Sequence, residues 1–158
     1  MESVIELSSV EATLELGERL GRALAPGDFV GLSGELGTGK TLFVRGVARG
    51  VGVAAGQVQS PTFTIINSYA GGRLPLHHAD LYRLETPDEL YATGYFDLLE
   101  GRGAMLVEWP ERIGGAAPPG GLALRFERVS EKARRLSATA DGARAEALLR
   151  AIAGSENV

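Results

Sequence analysis

The chain has 158 residues, 44% of them hydrophobic and 23% charged, with a formal net charge of −4. This fits one domain with a real core and excludes a protein that holds nucleic acid by phosphate contacts alone. It has no cysteine, which removes disulfides, thiolate nucleophiles and cysteine-based zinc sites together. The start, Met1-Glu2-Ser3-Val4, has no apolar leader and no 18-residue apolar stretch follows, so a cytoplasmic protein without a membrane role is expected.

Val4-Ile5-Glu6-Leu7 reads as a first strand, and Ser8-Ser9 as the cap of a helix whose Leu14, Leu16, Leu20 and Leu24 fall near one face up to about Ala25. Pro26-Gly27-Asp28 turns the chain into residues 29–33, a short apolar run typical of a buried strand. Next comes Gly34-Glu35-Leu36-Gly37-Thr38-Gly39-Lys40-Thr41, a full match to the pattern G-x-x-x-x-G-K-[ST], and then residues 42–49 with apolar positions at helical spacing, ending near Gly52. Strand, glycine turn and helix together make a phosphate-binding loop. A polyphosphate needs several converging backbone N–H groups, and only a chain free of Cβ atoms at its tight points wraps that closely. The backbone of Leu36, Gly37, Thr38 and Gly39 would cradle the phosphates on the positive end of the helix, Lys40 would reach the β- and γ-oxygens, and the Thr41 hydroxyl would ligate Mg²⁺. The only lysines are Lys40 and Lys132. A chain that otherwise writes arginine keeps lysine where a compact ammonium on a flexible stem is wanted.

Beyond Ser60-Pro61, residues 62–69 are β-branched and aromatic and predict a strand, Ala70-Gly71-Gly72-Arg73 a hairpin loop, and residues 74–81 an antiparallel return strand. Thr86-Pro87 starts one or two short helices up to Glu100. Residues 103–108 form a buried strand ending in a carboxylate, and residues 113–121 a Gly/Ala/Pro loop. Residues 122–127 and 134–140 pair as antiparallel strands, residues 143–153 close the chain as a helix, and the tail after it frays. One domain over residues 1–158 is expected.

A phosphate loop binds nucleotide; hydrolysis needs a metal-side carboxylate and a group that orders water. Glu108, ending an apolar strand, is the first candidate and Asp80 the second, with His78 on the same strand face as Asp80. The adjacent His77 and His78 with Asp80 also read as a metal site, but only His78 and Asp80 share a face and no third ligand follows at recognisable spacing. In Ser60-Pro61-Thr62-Phe63-Thr64, either Thr62 or Thr64 stands where nucleotide switches keep a γ-phosphate-sensing threonine. Trp109, the only tryptophan, follows Glu108 and is expected at the lip of the site.

GELGTGKT, SPTFT, HADLYRL and VEWPER, in that order and spacing, resemble the bacterial TsaE family, small P-loop ATPases that serve the threonylcarbamoyladenosine modification of tRNA. The resemblance runs from about Leu14 to the final strand pair. It implies a three-layer α/β P-loop NTPase fold with a mixed parallel and antiparallel sheet, ATP or ADP and Mg²⁺ as ligands, and weak intrinsic ATPase activity. It also implies action with a transferase complex of two related subunits, tRNA being met only indirectly. Position by position, Lys40 and Thr41 match the phosphate and magnesium ligands, Glu108 the second metal-side ligand, Asp80 a residue needed for hydrolysis and Trp109 a residue beside the site. Lys132 falls where the family tends to place a basic residue near the nucleotide. Glu35 stands where aspartate is commoner, on a side chain expected to point away from the phosphates.

The rival reading is a small-molecule kinase, but the stretch between Tyr91 and Gly103 offers only Arg102 for a lid. A GTPase would need an N-K-x-D element, and none occurs.

Overall fold

The computed structural model describes residues 1–35, 37–61 and 64–154. Leu36, Thr62 and the tail from residue 155 on, each of which carried an expectation, lie outside the described residues.

Strand β2 (Phe29–Ser33) is apolar on both faces, as a strand covered by helices on each side must be. It lies at the centre of the sheet, parallel to β5 (Ala104–Glu108) on one side and to β6 (Gly121–Arg128) on the other. β4 (Leu76–Asp80) adds in parallel to β5, and β3 (Ile66–Tyr69) pairs antiparallel with β4 at that edge. Beyond β6 come β7 (Arg134–Asp141) and β1 (Glu2–Leu7), each antiparallel to its neighbour. Among the described residues these seven strands form one sheet in the order β1-β7-β6-β2-β5-β4-β3. The carboxyl ends of β2, β4, β5 and β6 therefore open on one edge, where ligands sit in folds of this kind.

Helices α1 (Val10–Ala23), α2 (Lys40–Val51) and α5 (Ala143–Ala153) cover one face with the larger apolar core, which includes Leu16, Leu20, Phe43, Val47, Leu149 and Ile152. The short helices α3 (Pro87–Tyr91) and α4 (Tyr95–Leu99) cover the other face, with Leu90, Tyr95, Ile113 and Ala116 buried against Met105 and Val107. The fold is the expected three-layer α/β arrangement with a mixed sheet. Ser9 caps α1, its hydroxyl accepting from the Ala12 N–H at 3.1 Å.

Two strand expectations need correction. Residues 64 and 65 are not in β3: Ile65 has φ 67° and its N–H donates to the Pro61 carbonyl at 2.7 Å, away from the β4 ladder. β4 begins at Leu76 because Pro75 has no N–H to donate, its carbonyl accepting from Ala104 instead at 3.0 Å.

The contact that fixes α2 is absent from any periodicity reading. Gly17 and Gly21 on α1 face Gly46 and Gly50 on α2, so that a Cβ on Gly46 would come 2.3 Å from the Leu14 carbonyl oxygen and one on Gly17 2.4 Å from that of Phe43. Helix backbones meet directly, which locks the helix that begins at Lys40. Gly46→Ala is expected to destabilise the chain by roughly 2 kcal/mol, because overpacking against rigid backbone at this distance costs about 3 kcal/mol or more and the gain in helix propensity offsets only about 1 kcal/mol of it. Urea unfolding measures it, and stability equal to the parent would contradict the backbone contact.

Candidate active site

The phosphate loop leaves β2 and enters α2 through three glycines with left-handed or positive-φ backbone, Gly34 at 132°, Gly37 at 82° and Gly39 at 102°. A Cβ on Gly34 would lie 2.6 Å from the Phe126 carbonyl oxygen, so the loop is seated against β6. Gly39 is the N-cap of α2 and supplies no side-chain cap, which leaves first-turn N–H groups of that helix for an anion. The buried Thr38 hydroxyl donates to the Glu35 carbonyl at 2.7 Å, and the Glu35 side chain is exposed. Thr41 is half-buried on the first turn of α2.

Lys40 is 7% exposed. Its ammonium donates to the Gly34 carbonyl, lies 3.5 Å from Glu108 Oε1 and stands 4.9 Å from the centre of the Trp109 ring. Glu108 ends β5 at 5% exposure, with Oε2 2.7 Å from His78 Nε2. Burial pushes the Glu108 carboxyl up, but the His78 hydrogen bond and the charges of His78 and Lys40 outweigh it and hold the group below the ordinary carboxylate range. Asp80 is the register partner of Glu108 on β4, half-buried, and accepts from the Tyr82 N–H at 3.0 Å. Its carboxyl is raised, first by burial and then by the Glu108 charge, against the lowering effects of the Tyr82 N–H, Lys40 and His78. One carboxylate kept ionised beside another pushed toward its protonated form is the pattern of a site with divided roles.

Among the described residues, the non-glycine positions with left-handed backbone are Ile65 and Trp109, the latter at φ 56° and ψ 50°. Both border this edge: the Ile65 carbonyl accepts from the Asp80 N–H at 2.8 Å, and Trp109 directly follows Glu108. Backbone held in such a conformation is concentrated where geometry matters more than comfort. The half-buried Trp109 ring packs 5.6 Å from Tyr82 and borders a cleft of about 530 Å³ that Gly34 and Thr38 also line. A second cleft of about 350 Å³ opens beside Asp28, where Arg144 Nη2 pairs with Asp28 Oδ2 at 2.7 Å; no residue of the phosphate loop lines it.

The structure thus brings together Lys40, Glu108, Asp80 and Trp109, with Thr41 next to Lys40 on the first turn of α2. Thr64 is exposed, its hydroxyl donating to Asn67 Oδ1 at 2.7 Å. Lys132 is exposed in the turn between β6 and β7. Arg134, two positions on and missed by sequence reasoning, does touch the loop. Its Nε donates to the Thr38 carbonyl at 3.1 Å and its Nη1 to the Ser130 carbonyl at 2.9 Å, tying the loop to the β6–β7 turn. Nothing short of the β6–β7 register marks Arg134 out in the sequence.

A hydroxyl on Thr41 and a carboxylate on Glu108 are hard oxygen donors that fit Mg²⁺. Among the described residues no three His, Asp or Glu side chains form a ready-made metal cage, so such an ion would complete its shell with phosphate oxygens and water. Because Trp109 is the only tryptophan and contacts Lys40, its fluorescence is expected to change when ATP and Mg²⁺ are added. A flat titration would contradict its place at the site.

Comparison with known proteins extends the picture beyond geometry. The model of the family described as "Threonylcarbamoyl adenosine biosynthesis protein TsaE" matches residues 7–136. A tRNA threonylcarbamoyladenosine biosynthesis protein TsaE from Bacillus subtilis is 41% identical over 133 residues, 84% of this chain and 82% of that protein. One of the same description from Synechocystis is 42% identical over 114 residues, 68% of this chain and 69% of that protein. The crystal structure of YdiB from Bacillus subtilis superposes with a TM-score of 0.81 at 31% identity, covering 99% of this chain and 97% of the other.

Proposed function

The chain belongs to the TsaE family, and from that premise we propose that it binds ATP with Mg²⁺, hydrolyses it slowly, and uses the cycle to act on the two-subunit transferase complex of tRNA threonylcarbamoyladenosine biosynthesis. The observation that carries this reading is the convergence on Lys40 of the phosphate loop, Glu108 and Trp109.

Backbone N–H groups of Leu36, Gly37, Thr38 and Gly39 hold the phosphates. Lys40 turns from Gly34 and Glu108 to the β- and γ-oxygens, which frees Glu108 Oε1 to share a cation with the Thr41 hydroxyl. Mg²⁺ there would neutralise charge developing between the β- and γ-phosphates. Asp80 or a group of the partner orients the attacking water, Thr62 senses the γ-phosphate, and Trp109 and Lys132 border the nucleotide. The guanidinium that reaches the loop, Arg134, is committed to the Thr38 carbonyl. A site without an arginine finger against the developing charge forgoes roughly 10³-fold or more in rate, so the isolated chain turns over slowly and a partner supplies the missing element.

A small-molecule kinase would close a lid over its acceptor. Here α3 and α4, which span the segment where a lid would lie, are packed on the sheet face opposite α2, with Leu90 and Tyr95 buried. The test is phosphate release from ATP by the chain with and without purified partner proteins, set against transfer to candidate metabolites. Phosphoryl transfer to a metabolite, with no free phosphate, would replace this reading by the kinase.

A further inference from the structure

We infer that His78 is a positioning residue for Glu108: it holds one carboxylate oxygen so that the other faces the start of α2. The inference rests on the reading of Glu108 as the metal-side carboxylate.

His78 is fully buried in the middle of β4, 0% exposed, and projects to the α2 side of the sheet. Its Nε2 lies 2.7 Å from Glu108 Oε2. An ionised carboxylate offers only lone pairs, so Nε2 carries the hydrogen and donates it. Its other ring nitrogen, Nδ1, is buried with no hydrogen-bond partner among the described residues. The neighbouring His77, on the opposite sheet face, differs: its Nδ1 meets the Ser68 hydroxyl at 2.7 Å.

A valine or leucine at position 78 would fill a buried strand without leaving a polar atom unpaired. The histidine carries that cost, and among the described residues the one polar contact of its side chain is to Glu108. The two oxygens of Glu108 are thereby divided, Oε2 to His78 and Oε1 toward Lys40 at 3.5 Å. Without the His78 donor the carboxylate is free to rotate and to offer both oxygens to the Lys40 ammonium. That tighter pair would compete with phosphate for Lys40 and with a cation for Glu108. Fixing a ligand's orientation from behind in this way is worth about 10–100-fold in metal affinity at characterised sites.

The test compares three variants. His78→Leu keeps volume and removes the donor; His78→Gln places an amide N–H at a reach like that of Nε2; Glu108→Gln reports on the premise. Nucleotide affinity is measured in EDTA by Trp109 fluorescence, the Mg²⁺ midpoint at saturating ADP by calorimetry, and stability by urea unfolding. His78→Leu is expected to raise the Mg²⁺ midpoint by about tenfold or more, with a smaller change in metal-free affinity, and His78→Gln to restore it to near the parent. A midpoint unchanged in His78→Leu but raised in Glu108→Gln would overturn the role of His78 and leave the metal-side reading standing. A midpoint unchanged in both would remove the premise. Should His78→Leu not fold, His78→Asn replaces it, its amide being too short to reach Glu108; equal midpoints for the Asn and Gln variants would overturn the proposal.

Discussion

Lys40→Ala is expected to eliminate measurable ATP binding while the chain stays folded, and the structure adds that the variant will be less stable than its parent. The ammonium would make charge-assisted bonds to two phosphate oxygens, each worth about 1.5–3 kcal/mol, so its removal costs at least a hundredfold in affinity. Lys40 is also 7% exposed and serves the Gly34 carbonyl and Glu108 Oε1. With alanine there, Glu108 keeps His78 but loses its second partner in a buried setting, a loss of about 1–3 kcal/mol. Calorimetry with ATP and urea unfolding separate the two effects. Parent-like affinity would remove the phosphate-loop assignment, and parent-like stability would contradict the Lys40–Glu108 contact.

Glu108→Gln is expected to separate metal from nucleotide. A neutral amide is a poor ligand for a hard cation, yet its carbonyl oxygen can still accept from His78 Nε2, so the fold around β5 persists. Lys40 loses its anionic partner and is more readily recruited by phosphate, so metal-free nucleotide affinity should hold or rise. Mg²⁺-dependent hydrolysis should fall by roughly 10²-fold or more, the scale of losing one preorganised electrostatic contact in a buried site. Hydrolysis measured against Mg²⁺ concentration decides it. Should the Mg²⁺ dependence survive intact, Asp80 is the metal-side carboxylate and the two acids exchange roles.

What was legible in the sequence was what is encoded locally. The phosphate loop is one contiguous motif whose glycines meet needs arising within eight residues, and helix α5 was read with its observed bounds, Ala143–Ala153. Glu108 and Asp80 could be nominated because each ends an apolar run, but their adjacency follows from the parallel β4–β5 register, which pairs them across strands. The same register pairs His78 with Leu106 and so sets it diagonally beside Glu108 on one face, a partnership that exists only in three dimensions. Arg134 was hidden for a similar reason, since its contact with Thr38 spans 96 residues. The glycines of α1 and α2 look like weak helix formers in one dimension and become intelligible only as the surface where two backbones touch. Residues 64 and 65 look like strand in one dimension because β-branched composition describes packing on a pleated surface and says nothing of a turn.

On the proposed function, a partner completes the nucleotide cycle of this chain by docking over Thr62, Asp80 and Trp109. The most direct test of this is the steady-state rate of phosphate release from Mg²⁺ and ATP, measured as the transferase complex is titrated in. A slow basal rate that rises to saturation with partner concentration, and that Glu108→Gln prevents, is the predicted result. Rapid hydrolysis by the chain alone, with no response to the complex, would contradict it and show a self-sufficient enzyme.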